Sequence, residues 1–114
     1  MASDEPAASR PTPIPVQIAL RDVGHDLATW RRLRGLTAAQ VAERAGITRV
    51  TLRNIESGKG TVSLENTFRV ARALGILDSL AKASDPYASD LGRLRSEEIL
   101  PERVRRPRPG DSSG

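Results

Sequence analysis

The chain has 114 residues, a net charge of +4, one histidine, no cysteine and 3% aromatic residues. That length holds one domain with tails and leaves too little for a second core. Disulfides and thiolate metal sites are excluded, His25 cannot build a metal cluster alone, and no apolar run suits a membrane span or an export signal, so a reducing, cytoplasmic setting is expected.

Proline marks the limits of the ordered body. Pro6, Pro11, Pro13 and Pro15 come before it, Pro86, Pro101, Pro107 and Pro109 come after, and residues 16–85 contain none. Because proline breaks helix interiors, the proline-free middle reads as helical. Residues 1–15 are small, polar and proline-rich and are expected to be disordered. Residues 16–83 are expected to form the folded domain and residues 84–114 a C-terminal extension.

The first helix is expected from about Gln17 to Arg34, with Leu20, Val23, Leu27, Trp30 and Leu33 on its apolar face. Gly24 within it costs roughly 1 kcal/mol relative to alanine, which would loosen the early turns. Thr37 suits the N-cap of a second helix over about 38–45, and Thr48 that of a third over about 49–57. Ser63 suits the cap of a fourth, in which Leu64, Phe68, Ala71 and Leu74 share a face, and a short fifth helix over about 77–82 would close the core with Leu77 and Leu80. Glycines at 35, 46, 58, 60 and 75 fall where C-terminal caps belong. No strand-like alternation occurs, so the fold class is all-α, a compact bundle of five helices. Beyond Pro86, Tyr87, Leu91 and Leu94 suggest a short amphipathic helix over about 88–98, stopped by Pro101 and followed by a basic, flexible end carrying Arg103, Arg105, Arg106 and Arg108.

The most informative stretch runs from Thr37 to Ser57. Ala42 lets two helices approach, Gly46 permits a left-handed turn residue, and Leu52 and Ile55 face inward one turn apart. This spacing is that of a helix-turn-helix, a unit that holds the outer face of its second helix in a DNA major groove. Here that face carries Arg49, Val50, Arg53 and Asn54. Between Arg31 and Lys59, arginines 31, 32, 34, 44, 49 and 53 and Lys59 outweigh the only acids, Glu43 and Glu56, an electrostatic footprint suited to phosphate. A solvated, charge-rich helix surface would show the same charge. Trp30 reads as core, His25 as a surface residue, and Glu56 as a structural acid paired with an arginine of the first helix.

Residues 27–80 resemble the lambda-repressor/Cro type of helix-turn-helix domain, the XRE family. The resemblance is carried by the run Trp30 to Thr37, by Ala42, by Ala45-Gly46-Ile47-Thr48, by Leu52 and by Ile55-Glu56-Ser57-Gly58-Lys59. It continues through Ser63-Leu64, Ala71 and Ala73-Leu74-Gly75. It implies a lambda-repressor-like regulator that binds double-stranded operator DNA as a homodimer. By position it makes Arg49, Val50 and Asn54 the base-reading residues and places Thr51, Arg53 and Lys59 at phosphates. Arg34 is a further candidate for phosphate. An arginine fork fits guanine O6 and N7, asparagine fits adenine N6 and N7, and valine fits the thymine methyl. The family often has glutamine at the start of the second helix, where this chain has Ala38, and Gln40 need not replace it.

A homodimer would set two recognition helices about 34 Å apart on an inverted repeat and repress by occluding polymerase. From Leu91 to Arg106 the tail looks like the C-terminal extension of HipB-type antitoxins, which implies a second possibility, a protein-interaction module that holds a kinase-like, HipA-like toxin and regulates its own operon. An enzyme is not expected. No nucleophile–base pair, glycine-rich phosphate loop or metal-spaced carboxylate set is present, and no cofactor is expected.

Overall fold

The structure, a computed structural model, describes residues 10–99. Every regular element among them is helical, as the sequence predicts. The contacts divide the chain into two units, with the boundary between Leu77 and Asp78. The disorder expected for residues 1–15 does not hold at Ile14 and Pro15, which already belong to the first helix, while residues 1–9 and the basic end at 102–114 lie outside the described residues.

The first unit holds α1 (Ile14–Leu33), α2 (Ala38–Ala45), α3 (Arg49–Glu56) and α4 (Leu64–Leu74). α1 starts at Ile14, earlier than the expected Gln17, and Pro15 sits in its first turn, where no amide hydrogen is needed. The amides of Val16 and Gln17 donate to the Pro13 carbonyl, and the Gln17 side chain donates to the Thr12 carbonyl at 2.7 Å. Thr37, Thr48 and Ser63 cap α2, α3 and α4 as predicted, each accepting a backbone N–H three residues on. Leu27, Val41, Ala42, Ala45, Leu52, Ile55, Val70 and Leu74 form the core cluster, with Leu36, Ile47, Val62 and Ile76 partly buried against it. Among the described residues no polar or charged side chain is buried.

Three expectations about which side chains fill that core are corrected. On α1 the buried residues are Gly24, Leu27 and Ala28, whereas Trp30 is 39% exposed and Leu33 is 72% exposed. The apolar periodicity pointed to the stripe of large residues, and Leu27 on it is buried, but the helix otherwise packs through the small residues Gly24 and Ala28, which let backbones approach. Trp30 is therefore a surface residue, with the Arg34 guanidinium over its ring at 5.8 Å. On α4, Val70 is buried with Ala71 and Leu74, while Leu64, in the first turn, is 69% exposed. α5 (Leu77–Lys82) forms as predicted but holds no buried residue, and Leu77 and Leu80 are half-buried rather than core.

The second unit contains a 3-10 turn, Pro86–Ala88, and α6 (Asp90–Ile99), close to the expected tail helix. Asp85 opens the turn by accepting the Tyr87 amide at 2.9 Å, and the Ser89 hydroxyl accepts the Gly92 amide at 3.0 Å in the first turn of α6. Arg93 donates to the Tyr87 carbonyl at 2.9 Å and pairs with Asp90, tying the helix to the turn before it. Among the described residues no helix is long and apolar enough to cross a membrane.

Candidate nucleic-acid interface

The site is built from α2, a tight turn and α3. Thr37 and Gln40 form a reciprocal capping box: the Thr37 hydroxyl accepts the Gln40 amide at 3.1 Å, and the Gln40 side chain accepts the Thr37 amide at 2.9 Å. Gln40 is thereby committed to starting α2. It does not stand in for the glutamine that the resemblance places at position 38, where Ala38 instead packs partly buried against the core.

The turn depends on Gly46, whose φ of 72° lies in the left-handed region. There the Gly46 amide donates to the Glu43 carbonyl and the Ile47 amide to the Ala42 carbonyl, satisfying the free end of α2. Thr48 then restarts the helix, its hydroxyl accepting the Thr51 amide at 3.0 Å and lying 2.9 Å from the Thr51 hydroxyl. Leu52 and Ile55 point into the core at 0% and 4% exposure. Helical periodicity therefore turns positions 49, 50, 53 and 54 outward together.

The predicted residues distribute as follows. Arg49, Val50 and Arg53 are exposed on α3, and Asn54 is half-buried beside them. Arg49 and Arg53 sit one turn apart along one flank, Val50 and Asn54 along the other. Among the described residues nothing hydrogen-bonds the Asn54 carboxamide. Thr51 is half-buried with its hydroxyl engaged by Thr48. Lys59 is exposed just past the end of α3, where its amide donates to the Asn54 carbonyl at 3.0 Å. Arg34 stands apart from this group. It lies over Trp30, and its guanidinium would be 3.1 Å from a Cβ placed on Gly75, at the end of α4.

Glu56 would otherwise put a negative charge at the carbonyl end of α3, where the helix dipole is already negative. Arg31 of α1 neutralises it through a two-pronged ion pair, Nε to Oε2 at 2.9 Å and Nη2 to Oε1 at 3.2 Å. Arg31 Nη1 also donates to the Leu36 carbonyl at 3.3 Å, spanning the α1–α2 junction. The hydrogen bond to Glu56 raises the Arg31 pKa above the ordinary guanidinium value, opposed by burial and aided by the Glu56 charge. The arginine partner expected for Glu56 is thus present, and it is Arg31.

Sequence reasoning missed one position. Gly24, read as a weak point of α1, lies where α1 crosses the end of α3. A Cβ there would clash with the Ile55 carbonyl oxygen and stand 2.8 Å from that of Glu56. The signal was present as an unexplained glycine in a helix interior, but only the crossing shows its use. Among the described residues no group of three or more His, Cys, Asp or Glu side chains is placed to hold a metal ion.

This geometry agrees with comparisons to known proteins. A helix-turn-helix family model matches residues 27–78, the stretch from the middle of α1 to the start of α5. The chain is also similar to an uncharacterized HTH-type transcriptional regulator of Methanothermobacter thermautotrophicus, 47% identical over 45 residues. Those residues are 40% of this chain, and the chain spans 65% of that relative's length. No solved structure matches. Residues 27–78, less than half of the chain, are thus similar to helix-turn-helix domains of transcriptional regulators.

Proposed function

We infer that the chain is a sequence-specific DNA-binding transcriptional regulator, acting as a homodimeric repressor on an inverted-repeat operator. The observation that carries this reading is the outer face of α3, where Arg49, Val50, Arg53 and Asn54 project together while Leu52 and Ile55 anchor the helix. Arg49, Val50 and Asn54 read base edges, and Arg53, Thr51 and Lys59 hold phosphates. Arg34 is the outlying member of the phosphate set, because it already has neighbours in Trp30 and Gly75. Neutralisation of Glu56 by Arg31 removes the one acid of α3 that would repel the duplex.

Selection of bound duplexes from random sequence tests the reading. With the selected operator, Arg49→Ala is expected to relax preference at one base pair, at a cost of roughly 1–3 kcal/mol, whereas Arg53→Ala weakens operator and random DNA alike. Equal losses on both DNAs for both variants would contradict these roles.

A second reading is favoured by α6, which lies outside the family-matched stretch and exposes Leu91, Leu94 and Ile99. On that reading the extension is a protein-contact element, such as an antitoxin uses to hold a kinase-like toxin. Truncation after Ser84 separates the possibilities. Loss of a co-purifying partner with DNA binding retained supports the contact element, and conversion to a monomer makes the extension the dimer interface.

A further inference from the structure

The carbonyl end of α3 is held by α1 in a way that the family-matched stretch does not contain. That stretch begins at Leu27, yet two contacts that fix the end of α3 to α1 fall before it on α1. At the first, Gly24 meets the Ile55 and Glu56 carbonyls at a separation that leaves no room for a side chain. At the second, Gly58 just past α3 lies against the Arg21 backbone, so that a Cβ there would stand 2.7 Å from the Arg21 Cα and 2.8 Å from its nitrogen. Gly58 also has a φ of 78°, and its amide closes α3 by donating to the Ile55 carbonyl at 3.1 Å. The third contact is the Arg31–Glu56 ion pair, on the same face of α1 two turns beyond Gly24.

We propose that Gly24 is a positioning residue for DNA recognition: it seats the carbonyl end of α3 and so sets the pitch at which residues 49, 50 and 54 meet the bases. The inference rests on the DNA-binding reading above. Both contacts at this seat are backbone to backbone, so no rotamer change can relieve an added methyl group. The end of α3 must then move by about 1 Å, because close-packed interiors absorb volume by displacement. α3 has eight residues and is about 12 Å long, so lifting one end by that amount tilts its axis by about 5°. The other end stays held by the Thr48 cap and the Gly46 turn. A bidentate arginine or asparagine contact tolerates little misalignment, whereas phosphate contacts made by long, mobile side chains adapt. The seat therefore governs discrimination between sequences more than overall affinity.

The test compares Gly24→Ala with the wild-type chain and with Val70→Ala, a core variant on α4 that leaves the seat untouched. Residual dipolar couplings report the α1–α3 angle in the free protein, and titrations against the selected operator and random DNA report discrimination. The expected result for Gly24→Ala is a changed interhelical angle and a loss of roughly 10- to 100-fold in operator preference, one bidentate contact's worth, with random-DNA affinity and its salt slope retained. Val70→Ala is expected to keep its preference. An unchanged angle or an unchanged preference in Gly24→Ala would overturn the proposal, and so would an equal loss of preference in Val70→Ala. If the wild-type chain binds no duplex, the DNA-binding reading fails, and the interhelical angle alone decides whether Gly24 is the seat. If Gly24→Ala does not fold, Arg31→Lys decides, since it loosens the same brace without adding volume. A fall in operator preference without a fall in random-DNA affinity supports the proposal, and an unchanged preference overturns it.

Discussion

Replacing Arg31 with alanine should be one of the most damaging single changes at a partly exposed position of this chain. The Arg31 and Glu56 side chains are 15% and 16% exposed, so water screens their interaction only weakly. Removing Arg31 strands the Glu56 carboxylate at the negative end of the α3 dipole and deprives the Leu36 carbonyl of its donor. Breaking a fully buried pair from one side costs about 3–5 kcal/mol, and residual exposure brings the expectation here to about 2–3 kcal/mol. For a domain of this size that is a fall of more than about 10 °C in melting temperature. Glu56→Ala should cost less, because an unpaired Arg31 can still donate to the Leu36 carbonyl and extend toward solvent. A double-mutant cycle followed by urea unfolding isolates the pair, with an expected coupling of about 1–2 kcal/mol. The sign of the pH dependence is also fixed. Arg31 has a raised pKa, so its share of the stability is full at neutral pH and is lost only as pH rises through the folded-state value, above the ordinary guanidinium range. Additive losses in the two single variants would refute the pairing as a source of stability, as would a marked loss attributable to Arg31 between pH 7 and pH 9.

Leu52→Ala removes a side chain with no exposed surface at the centre of the core and should cost about 3–4 kcal/mol in urea unfolding, against less than about 1 kcal/mol for Leu64→Ala at the exposed start of α4. Thr48→Ala removes the acceptor for the Thr51 amide and the partner of its hydroxyl, and should lower stability by about 1 kcal/mol, with Thr48→Ser recovering most of the loss.

The elements of the fold were legible because their signals are local. Thr37, Thr48 and Ser63 are caps, and Gly46 and Gly75 are terminators; each acts within a few residues of its own position. Leu52 and Ile55 were legible for the same reason, since on an eight-residue helix the buried stripe is narrow and apolar. α1 was harder to read. It carries more apolar residues than one face can bury, and the largest of them, Trp30, drew the expected stripe toward solvent. The true stripe keeps Leu27 but runs through Gly24 and Ala28, which carry little hydrophobic signal, and Gly24 allows α3 to come close. Which stripe wins depends on the partner helix, and that partner lies far along the chain. The Arg31–Glu56 pair shows the same limit: the acid alone suggests a cationic partner, but α1 offers several arginines, and only the crossing selects Arg31.

The two flanks of α3 also divide the work expected of a DNA-reading face. Arg49 and Arg53 form a cationic edge, and Lys59 adds charge just past the helix end. Val50 and Asn54 form a neutral edge that can contribute only through contact. An exposed β-branched residue in a helix is disfavoured by its restricted rotamers, and Val50, at 58% exposure, recovers nothing by burial in the free protein. On the DNA-binding reading its compensation comes at a thymine methyl or a neighbouring sugar. The cationic edge responds to salt, because each neutralised phosphate contributes about 0.9 to the slope of log affinity against log salt, and an apolar contact contributes nothing to that slope. On the DNA-binding reading Arg49 both reads a base and adds charge, whereas Val50 contributes contact alone, so substitutions at Val50 can change the preferred sequence while leaving the electrostatic attraction to the duplex intact.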